Sequence, residues 1–227
     1  DVMVTARMSA AKKEAGGKVL AKAGEDVLKE FTFAVPMTNE DVLCVFTAEG
    51  NLYRVKASQI PKGRVRDKGA LIQTLCKCDG ETVIYYDSFE RIFDSALYFA
   101  TEKGYVKLVS GAEFETNRNM IAATKLEDGD KAVGISVLAP SQVSSQSMKV
   151  IMNTAKGLSL GFPVAEVSML KKTGRGVKGI ALDKNDKVVF SAVVPPTQET
   201  FKYLDKELSC KKVRMRARAA KGQKATL

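Results

Sequence analysis

The sequence predicts an all-β chain built as an array of equivalent four-stranded units, and three observations carry that prediction. The first is a pattern that comes round three times: Leu43-Cys-Val-Phe-Thr47-Ala-Glu-Gly50-Asn-Leu-Tyr-Arg54, then Leu97-Tyr-Phe-Ala-Thr101-Glu-Lys-Gly104-Tyr-Val-Lys107, then Val150-Ile-Met-Asn-Thr154-Ala-Lys-Gly157-Leu-Ser-Leu160. Its glycines lie 54 and 53 residues apart. Each copy reads as an apolar strand, a Thr-x-x-Gly turn and an alternating strand, the pattern of a β-hairpin. The second is a half-repeat of a leucine, an acidic or glycine turn and a β-branched strand, beginning at Leu20, Leu75, Leu126 and Leu182, spaced 55, 51 and 56 residues apart. The third is composition: Val, Ile, Tyr, Phe and Thr fill the periodic segments, and helix-forming stretches are few. A fixed period near 50 residues marks units that bury their apolar faces by stacking on one another.

In chain order, Asp1-Val-Met-Val-Thr5 reads as a strand left over from a first repeat that the chain enters part-way, and residues 6–15 read either as a short helix or as a loop. Each later unit reads as strand, Thr-x-x-Gly turn, strand, long basic connection, strand, acidic turn, strand. Four strands in a unit of this length suggest a propeller blade. WD40 blades run about 40–45 residues and kelch blades about 50, and both use signature tryptophans; this chain has none. The expected array is one domain over residues 1–207, of about four blades, or five, spanning roughly 1–37, 38–92, 93–145 and 146–207. A basic segment, 208–227, follows it. In Lys212-Val-Arg-Met-Arg-Ala-Arg218 cationic and apolar residues alternate. On a strand that period puts Lys212, Arg214, Arg216 and Arg218 on one face, so the segment reads as a closing or edge strand, or else as a basic tail.

The 227 residues, 45% hydrophobic and 27% charged, are enough for a sizeable core. No apolar run approaches the roughly 18–20 residues of a membrane-spanning helix. Residue 1 is Asp rather than Met, so the chain is expected to be a domain of a longer protein. There is no histidine, which removes Ser-His and Cys-His nucleophile arrangements and the usual near-neutral acid or base. Cys44, Cys76, Cys78 and Cys210 lack the C-x-x-C spacing of a metal or redox site and are expected to be reduced, partly buried strand cysteines. Neither a catalytic residue nor a metal site is expected.

The formal net charge is +10, and seven uncompensated cations of residues 208–227 supply most of it. The rest is clustered. Arg54, Lys56, Lys62, Arg64, Arg66 and Lys68 face only Asp67, and Lys171, Lys172, Arg175 and Lys178 face no acid in their segment. Both clusters fall in equivalent connections of their units, where a closed array would place them along one edge. In the third repeat Lys103, Lys107 and Arg118 are offset by Glu102, Glu113 and Glu115, so no contact is expected there. The aromatic residues Tyr53, Tyr105, Phe46 and Phe99 are assigned to core packing rather than to base stacking.

Three stretches resemble a known family. Gly50-Asn-Leu-Tyr-Arg-Val-Lys-Ala-Ser-Gln-Ile-Pro61, Thr101-Glu-Lys-Gly-Tyr-Val-Lys107, and Thr154-Ala-Lys-Gly157 followed by Thr173-Gly-Arg-Gly-Val-Lys-Gly-Ile180 are similar to blades of the C-terminal domain of type IIA DNA topoisomerase A subunits. That family comprises the A subunits of DNA gyrase and of topoisomerase IV, and the likeness covers roughly residues 1–194. It implies a β-pinwheel, a propeller-like fold with strand exchange between blades, whose basic rim bends duplex DNA without reading sequence. It also implies a catalytic tyrosine in an N-terminal portion not included here. The partners it implies are double-stranded DNA, the B subunit, and the remainder of the A subunit. ATP and Mg would serve only the full enzyme, with no cofactor in this domain, in a bacterial cytoplasm near the nucleoid. Gyrase A subunits carry a box of the form Q-R-R-G-G-K-G in the first blade. The nearest matches here, Lys171-Lys-Thr-Gly-Arg-Gly-Val177 and Lys12-Lys-Glu-Ala-Gly-Gly-Lys18, are degenerate. That departure favours the topoisomerase IV type over the gyrase type.

The expected DNA-contacting residues are therefore Arg54, Lys56, Lys62, Arg64, Arg66, Lys68, Lys171, Lys172, Arg175, Lys178, Lys212, Arg214, Arg216 and Arg218, acting on phosphate. Solvated loop surface is the competing reading of the same charges. A propeller scaffold for protein partners is the competing function. A self-contained enzyme with a site in a central channel is disfavoured, because the acids lie in hairpin turns.

Overall fold

The computed structural model describes residues 2–8, 15–20, 33–63, 69–203 and 206–224. The strands of the first repeat are β1 (Val2–Met8), β2 (Ala15–Leu20) and β3 (Phe33–Met37). The second supplies β4 (Val42–Thr47), β5 (Asn51–Lys56), β6 (Ala70–Leu71) and β7 (Val83–Ser88). The third supplies β8 (Ala96–Thr101), β9 (Tyr105–Ser110), β10 (Met120–Ala122) and β11 (Ala132–Leu138). The fourth supplies β12 (Lys149–Thr154), β13 (Leu158–Pro163), β14 (Val177–Lys178) and β15 (Val188–Val194). Then come β16 (Thr200–Tyr203), β17 (Lys206–Ser209) and β18 (Gln223–Lys224).

These strands form four antiparallel sheets of four, in the orders β3-β1-β2-β6, β7-β4-β5-β10, β11-β8-β9-β14 and β15-β12-β13-β18, with β16 paired to β17. Three strands of each sheet come from one repeat. The fourth, laid beside the second hairpin strand, comes from the next repeat, so the chain exchanges a strand at every step. This is the β-pinwheel arrangement. The unit read from sequence as one four-stranded blade therefore supplies three strands to its own sheet and one to the sheet before it. The first two sheets with residues 116–122 make one compact unit; the third and fourth sheets with the β16–β17 hairpin make a second.

The repeated signature is a tight turn with the same bonds each time. Gly50, Gly104 and Gly157 sit at φ +82°, +82° and +78°, a left-handed backbone that glycine adopts without the Cβ penalty. Their N–H groups donate to Thr47, Thr101 and Thr154 O at 3.0, 2.9 and 2.9 Å. The threonine Oγ1 atoms accept from the N–H of Asn51, Tyr105 and Leu158, each at 3.3 Å. The acidic half-repeat docks on this turn. Lys103 and Lys156 N–H donate to Asp130 and Asp186 Oδ1 at 2.9 and 3.1 Å, and the two ammonium groups reach the carbonyls of Asp128 and Lys184, each at 2.6 Å. In the second repeat Glu81 takes this place, accepting from Thr47 Oγ1 at 2.5 Å, Asn51 Nδ2 at 3.0 Å and Tyr53 OH at 2.7 Å. The turn acids thus hold the hairpins.

Strands β4, β8 and β12 are central and are buried almost throughout, which explains their continuous apolar runs in place of strict alternation. In the first unit Val35, Leu43, Val45, Val55, Ile60, Ile72 and Tyr86 pack together. In the second unit Tyr98, Leu108, Val150, Met152, Leu160, Phe162 and Ile180 do so, and β11 lies on β15. A Cβ on Gly134 would stand 2.1 Å from Ser191 O, so only glycine allows that approach. Tyr98 OH donates across the same junction to Ser191 Oγ at 2.8 Å, and Ser191 Oγ passes the chain on to Ile151 O at 2.9 Å.

Several expectations are corrected. Residues 6–8 are strand, and residue 15 begins another, because Arg7 and Met8 pair with Gly16 and Ala15; ladder pairing overrides the local helix preference of an Ala-, Lys- and Glu-rich stretch. Residues 9–14 lie outside the described residues. Two short helices, α1 (Ile72–Cys76) and α2 (Phe89–Phe93), flank β7. Residues 212–218 do not form the alternating strand. Lys212 ends a 3-10 turn, Cys210–Lys212, and Val213 packs with Ile151, Phe201 and Cys210. Met215, which a strand would set on the face opposite the cations, is exposed. The 3-10 turn after β17 matches those after β5, β9 and β13, Ala57–Gln59, Gly111–Phe114 and Val164–Glu166. The β16–β17 hairpin, its turn, its connection and β18 thus repeat the opening of a fifth unit, and a boundary at 207/208 falls inside β17. Of the cysteines, all free thiols, only Cys44 lies in a strand.

Candidate nucleic-acid interface

After β5, β9, β13 and β17 the chain makes a 3-10 turn, and the next strand it forms beyond each turn is the one exchanged into the preceding sheet. In the second unit backbone bonds pin these connections. Leu108 N–H donates to Ser168 O at 3.0 Å and Leu108 O accepts from Leu170 at 2.8 Å; Gly161 repeats both bonds with Arg214 and Arg216 at 3.1 and 2.8 Å. A buried and a half-buried lysine add internal ties. Lys107, 1% exposed, donates from Nζ to the carbonyls of Lys172 at 2.8 Å, Gly174 at 2.7 Å and Lys171 at 3.4 Å. Burial draws its pKa from 10.5 down to about 8, with Glu113 opposing. Lys149 Nζ holds the carbonyls of Cys210 and Val213 at 2.7 and 2.6 Å.

The predicted cations fare differently. Lys56, Lys62, Lys171, Lys178, Lys212 and Arg214 are exposed. Arg54 is half-buried, its guanidinium 4.9 Å over the Phe89 ring, and its Nε is buried without a hydrogen-bond partner among the described residues. Arg64, Arg66 and Lys68 lie outside the described residues. Lys172 directs its ammonium to Glu113 O at 2.8 Å. Arg175 stacks 4.7 Å over Tyr105 and pairs with Glu127 at 2.6 Å. Arg216 reaches Lys221 O at 3.3 Å. Arg218 docks on the exchanged strand of the third sheet, donating from Nη1 to Lys178 O at 2.6 Å. The structure therefore brings Lys171–Lys178 and the connection carrying Arg214–Arg218 together within the second unit. Phe46 and Phe99 are core residues, as expected, while Tyr53 and Tyr105 are half-buried.

Two basic residues escaped the sequence reading. A groove of about 790 Å³ on the second sheet is lined by Arg54, Lys56, Lys77 and Arg118 with Gln59, Asn117 and Asn119, and among the described residues no acid lines it. Lys77 belongs to no basic run. Arg118 was counted with the balanced third repeat, but strand exchange carries it to the second sheet, where β10 pairs with β5. Alignment on the exchanged strands supplies the missing signal. Lys68, Arg118, Arg175 and Lys221 each stand two residues ahead of β6, β10, β14 and β18. Among the described residues no group of three potential metal ligands converges, and no helix is long and apolar enough to cross a membrane.

The pattern of a family described as DNA gyrase C-terminal domain, beta-propeller, matches residues 41–69, 96–139 and 149–195. The chain is 31% identical over 181 residues to the DNA gyrase A subunit of Helicobacter pylori (strain ATCC 700392 / 26695), covering 78% of this chain and 21% of that protein. It is 33% identical over 165 residues to the DNA gyrase A subunit of Chlamydia pneumoniae, covering 70% and 19%. The chain thus spans about a fifth of the length of these relatives. Among solved structures it resembles the C-terminal domain of DNA topoisomerase IV, with a TM-score of 0.76 at 20% identity over 98% of this chain and 72% of that one. It also resembles the DNA gyrase A C-terminal domain, with a TM-score of 0.63 at 19% identity over 98% and 76%.

Proposed function

The chain belongs to the DNA gyrase C-terminal domain family of β-propellers, and we propose that it binds and bends duplex DNA without reading sequence, as a non-catalytic domain of a type IIA topoisomerase A subunit. The observation that carries this reading is the contact between successive basic connections, Arg218 Nη1 on Lys178 O at 2.6 Å. It sets the connection that carries Arg214 beside the exchanged strand that carries Lys178. Cations so placed meet backbone phosphate, and each phosphate neutralised releases counterions. Bending a site of about 20–30 base pairs by 40–90° costs about 1–6 kcal/mol, which six to ten phosphate contacts can offset at moderate salt. The domain takes no cofactor of its own in this reading; ATP, Mg and the B subunit belong to the full enzyme, whose strand passage the bent duplex would serve in a bacterial cytoplasm.

The reading extends to a topoisomerase IV-like protein. The box-like run from Lys171 commits two of its cations internally, Lys172 to Glu113 and Arg175 to Glu127, which leaves little for a tight wrap. Affinity for duplexes of about 20, 40 and 150 base pairs, with donor and acceptor dyes on the ends of the middle one, tests the proposal. Affinity should rise with length, irrespective of sequence, and the ends should draw together. Length-independent binding to a straight duplex overturns it.

A further inference from the structure

The position two residues ahead of the exchanged strand is cationic in every sheet, but its electrostatic setting is not the same. In the third sheet Arg175 Nη1 is held by Glu127 Oε1 at 2.6 Å, and Lys103 Nζ approaches the other oxygen at 3.7 Å. In the fourth sheet Lys221 Nζ is held by Asp183 Oδ1 at 2.9 Å. Glu127 and Asp183 occupy one place in the repeat, directly after Leu126 and Leu182. After the corresponding Leu75 the chain instead reads Cys76-Lys77. The second sheet thus has an uncharged cysteine, followed by a cation, where the other two have an acid.

The consequence is visible in the grooves themselves. The third sheet's groove, about 770 Å³, mixes Lys103, Lys125 and Arg175 with Glu127 and Asp128. The second sheet's groove, about 790 Å³, carries Arg54, Lys56, Lys77 and Arg118 and, among the described residues, no acid. Arg118 and Lys77 are exposed, and among the described residues neither makes an ion pair. The buried Nε of Arg54 is likewise unsatisfied. A carboxylate on Arg175 or Lys221 offers the same charged oxygen pair that a phosphodiester would, so an incoming phosphate must displace it first. At Arg118 no described carboxylate has to be displaced.

We propose that the groove of the second sheet, built on Lys77 and Arg118 with Arg54 and Lys56, is the principal phosphodiester anchor among the described residues, and that Glu127 and Asp183 act as internal stand-ins for phosphate that weaken the equivalent positions of the third and fourth sheets. This rests on the reading of the chain as a duplex-binding domain. Among the described residues it makes the basic surface unequal by construction: one strong contact point, with weaker ones that engage only when a duplex outcompetes the chain's own carboxylates.

The test uses the whole chain and three paired variants, with affinity for a duplex of about 40 base pairs titrated in salt and far-UV circular dichroism to check folding. Lys77→Gln with Arg118→Gln should lower affinity by about tenfold or more and flatten the log–log salt slope by about 1.8, two contacts at about 0.9 each. Arg175→Gln with Lys221→Gln removes the same formal charge and should cost no more than about twofold, since both cations are already neutralised. Glu127→Gln with Asp183→Asn should raise affinity and steepen the slope by up to about 1.8. Equal losses in the two cationic pairs, or no gain when the carboxylates are neutralised, overturn the inference while leaving duplex binding intact. Failure of the unaltered chain to bind duplex at low salt overturns both.

Discussion

Replacing Gly104 and Gly157 with alanine separates the cost of the signature turn from the cost of the strand exchange laid over it. Both glycines hold nearly the same left-handed backbone, φ +82° and +78°. An L-residue there costs about 1–2 kcal/mol, of which about 0.4–1 kcal/mol is recovered because alanine also restricts the unfolded chain. A Cβ on Gly157 meets nothing within 4 Å, so Gly157→Ala should lose roughly 1 kcal/mol. A Cβ on Gly104 would stand 3.1 Å from Ile180 Cγ2 and 3.3 Å from Ile180 O, just after the exchanged strand β14. Overpacking of that kind adds about 1–3 kcal/mol, for a total near 2–4 kcal/mol. For a chain of this size each kcal/mol moves Tm by about 2–4 °C. Thermal and urea unfolding, followed by circular dichroism, should thus show Gly104→Ala losing at least about twice what Gly157→Ala loses. Equal losses would refute the reasoning, because Ile180 would then not lie over the third hairpin.

Two further predictions concern titrating groups. Lys107→Met removes the ammonium that satisfies the carbonyls of Lys172 and Gly174, and should cost about 1–3 kcal/mol for each carbonyl left bare. With a folded pKa of about 8 against 10.5 for a free lysine, Lys107 binds its proton less well when folded. Its burial penalty is therefore full below pH 8 and fades as pH rises to 10.5, a gain in stability that urea unfolding should find in the parent and not in Lys107→Met. Tyr53 has the opposite sense. Its hydrogen bond to Glu81, with burial second, pushes its pKa up to about 12, so its contribution is complete below pH 10 and is lost as pH rises through 12. Ultraviolet titration of the phenol should move back towards 10 in Glu81→Gln; an unmoved titration would remove Glu81 as the cause.

Both half-repeats could be read in the sequence because their chemistry is local. A Thr-x-x-Gly turn closes on its own threonine, and the acidic turn ends in a β-branched strand, so each leaves a compact signature. The exchanged strands leave none. Ala70–Leu71, Met120–Ala122, Val177–Lys178 and Gln223–Lys224 are two or three residues long, too short for an alternation to register, and their partners lie in the preceding repeat. Arg118 is hidden for that reason: along the chain it follows Glu113 and Glu115 of the third repeat, whereas the pairing of β10 with β5 assigns it to another sheet. The fifth unit stands only as an alternative in the sequence because residues 200–209 lack the Thr-x-x-Gly pattern. The alternation of residues 212–218 misled because Val213 is taken by a 3-10 turn into the Ile151 cluster, after which Met215 faces solvent. That Arg175 and Lys172 are occupied by Glu127 and Glu113 is equally non-local, since 48 and 59 residues separate the partners.

The central claim, that basic connections on successive sheets bind one duplex through its phosphates, is tested most directly by the salt dependence of affinity for a duplex of about 40 base pairs. Each phosphate contributes about −0.9 to the slope of log affinity against log salt, so six or more contacts predict a slope of about −5 or steeper. A slope near −1 or −2, the signature of one or two incidental contacts, would contradict it.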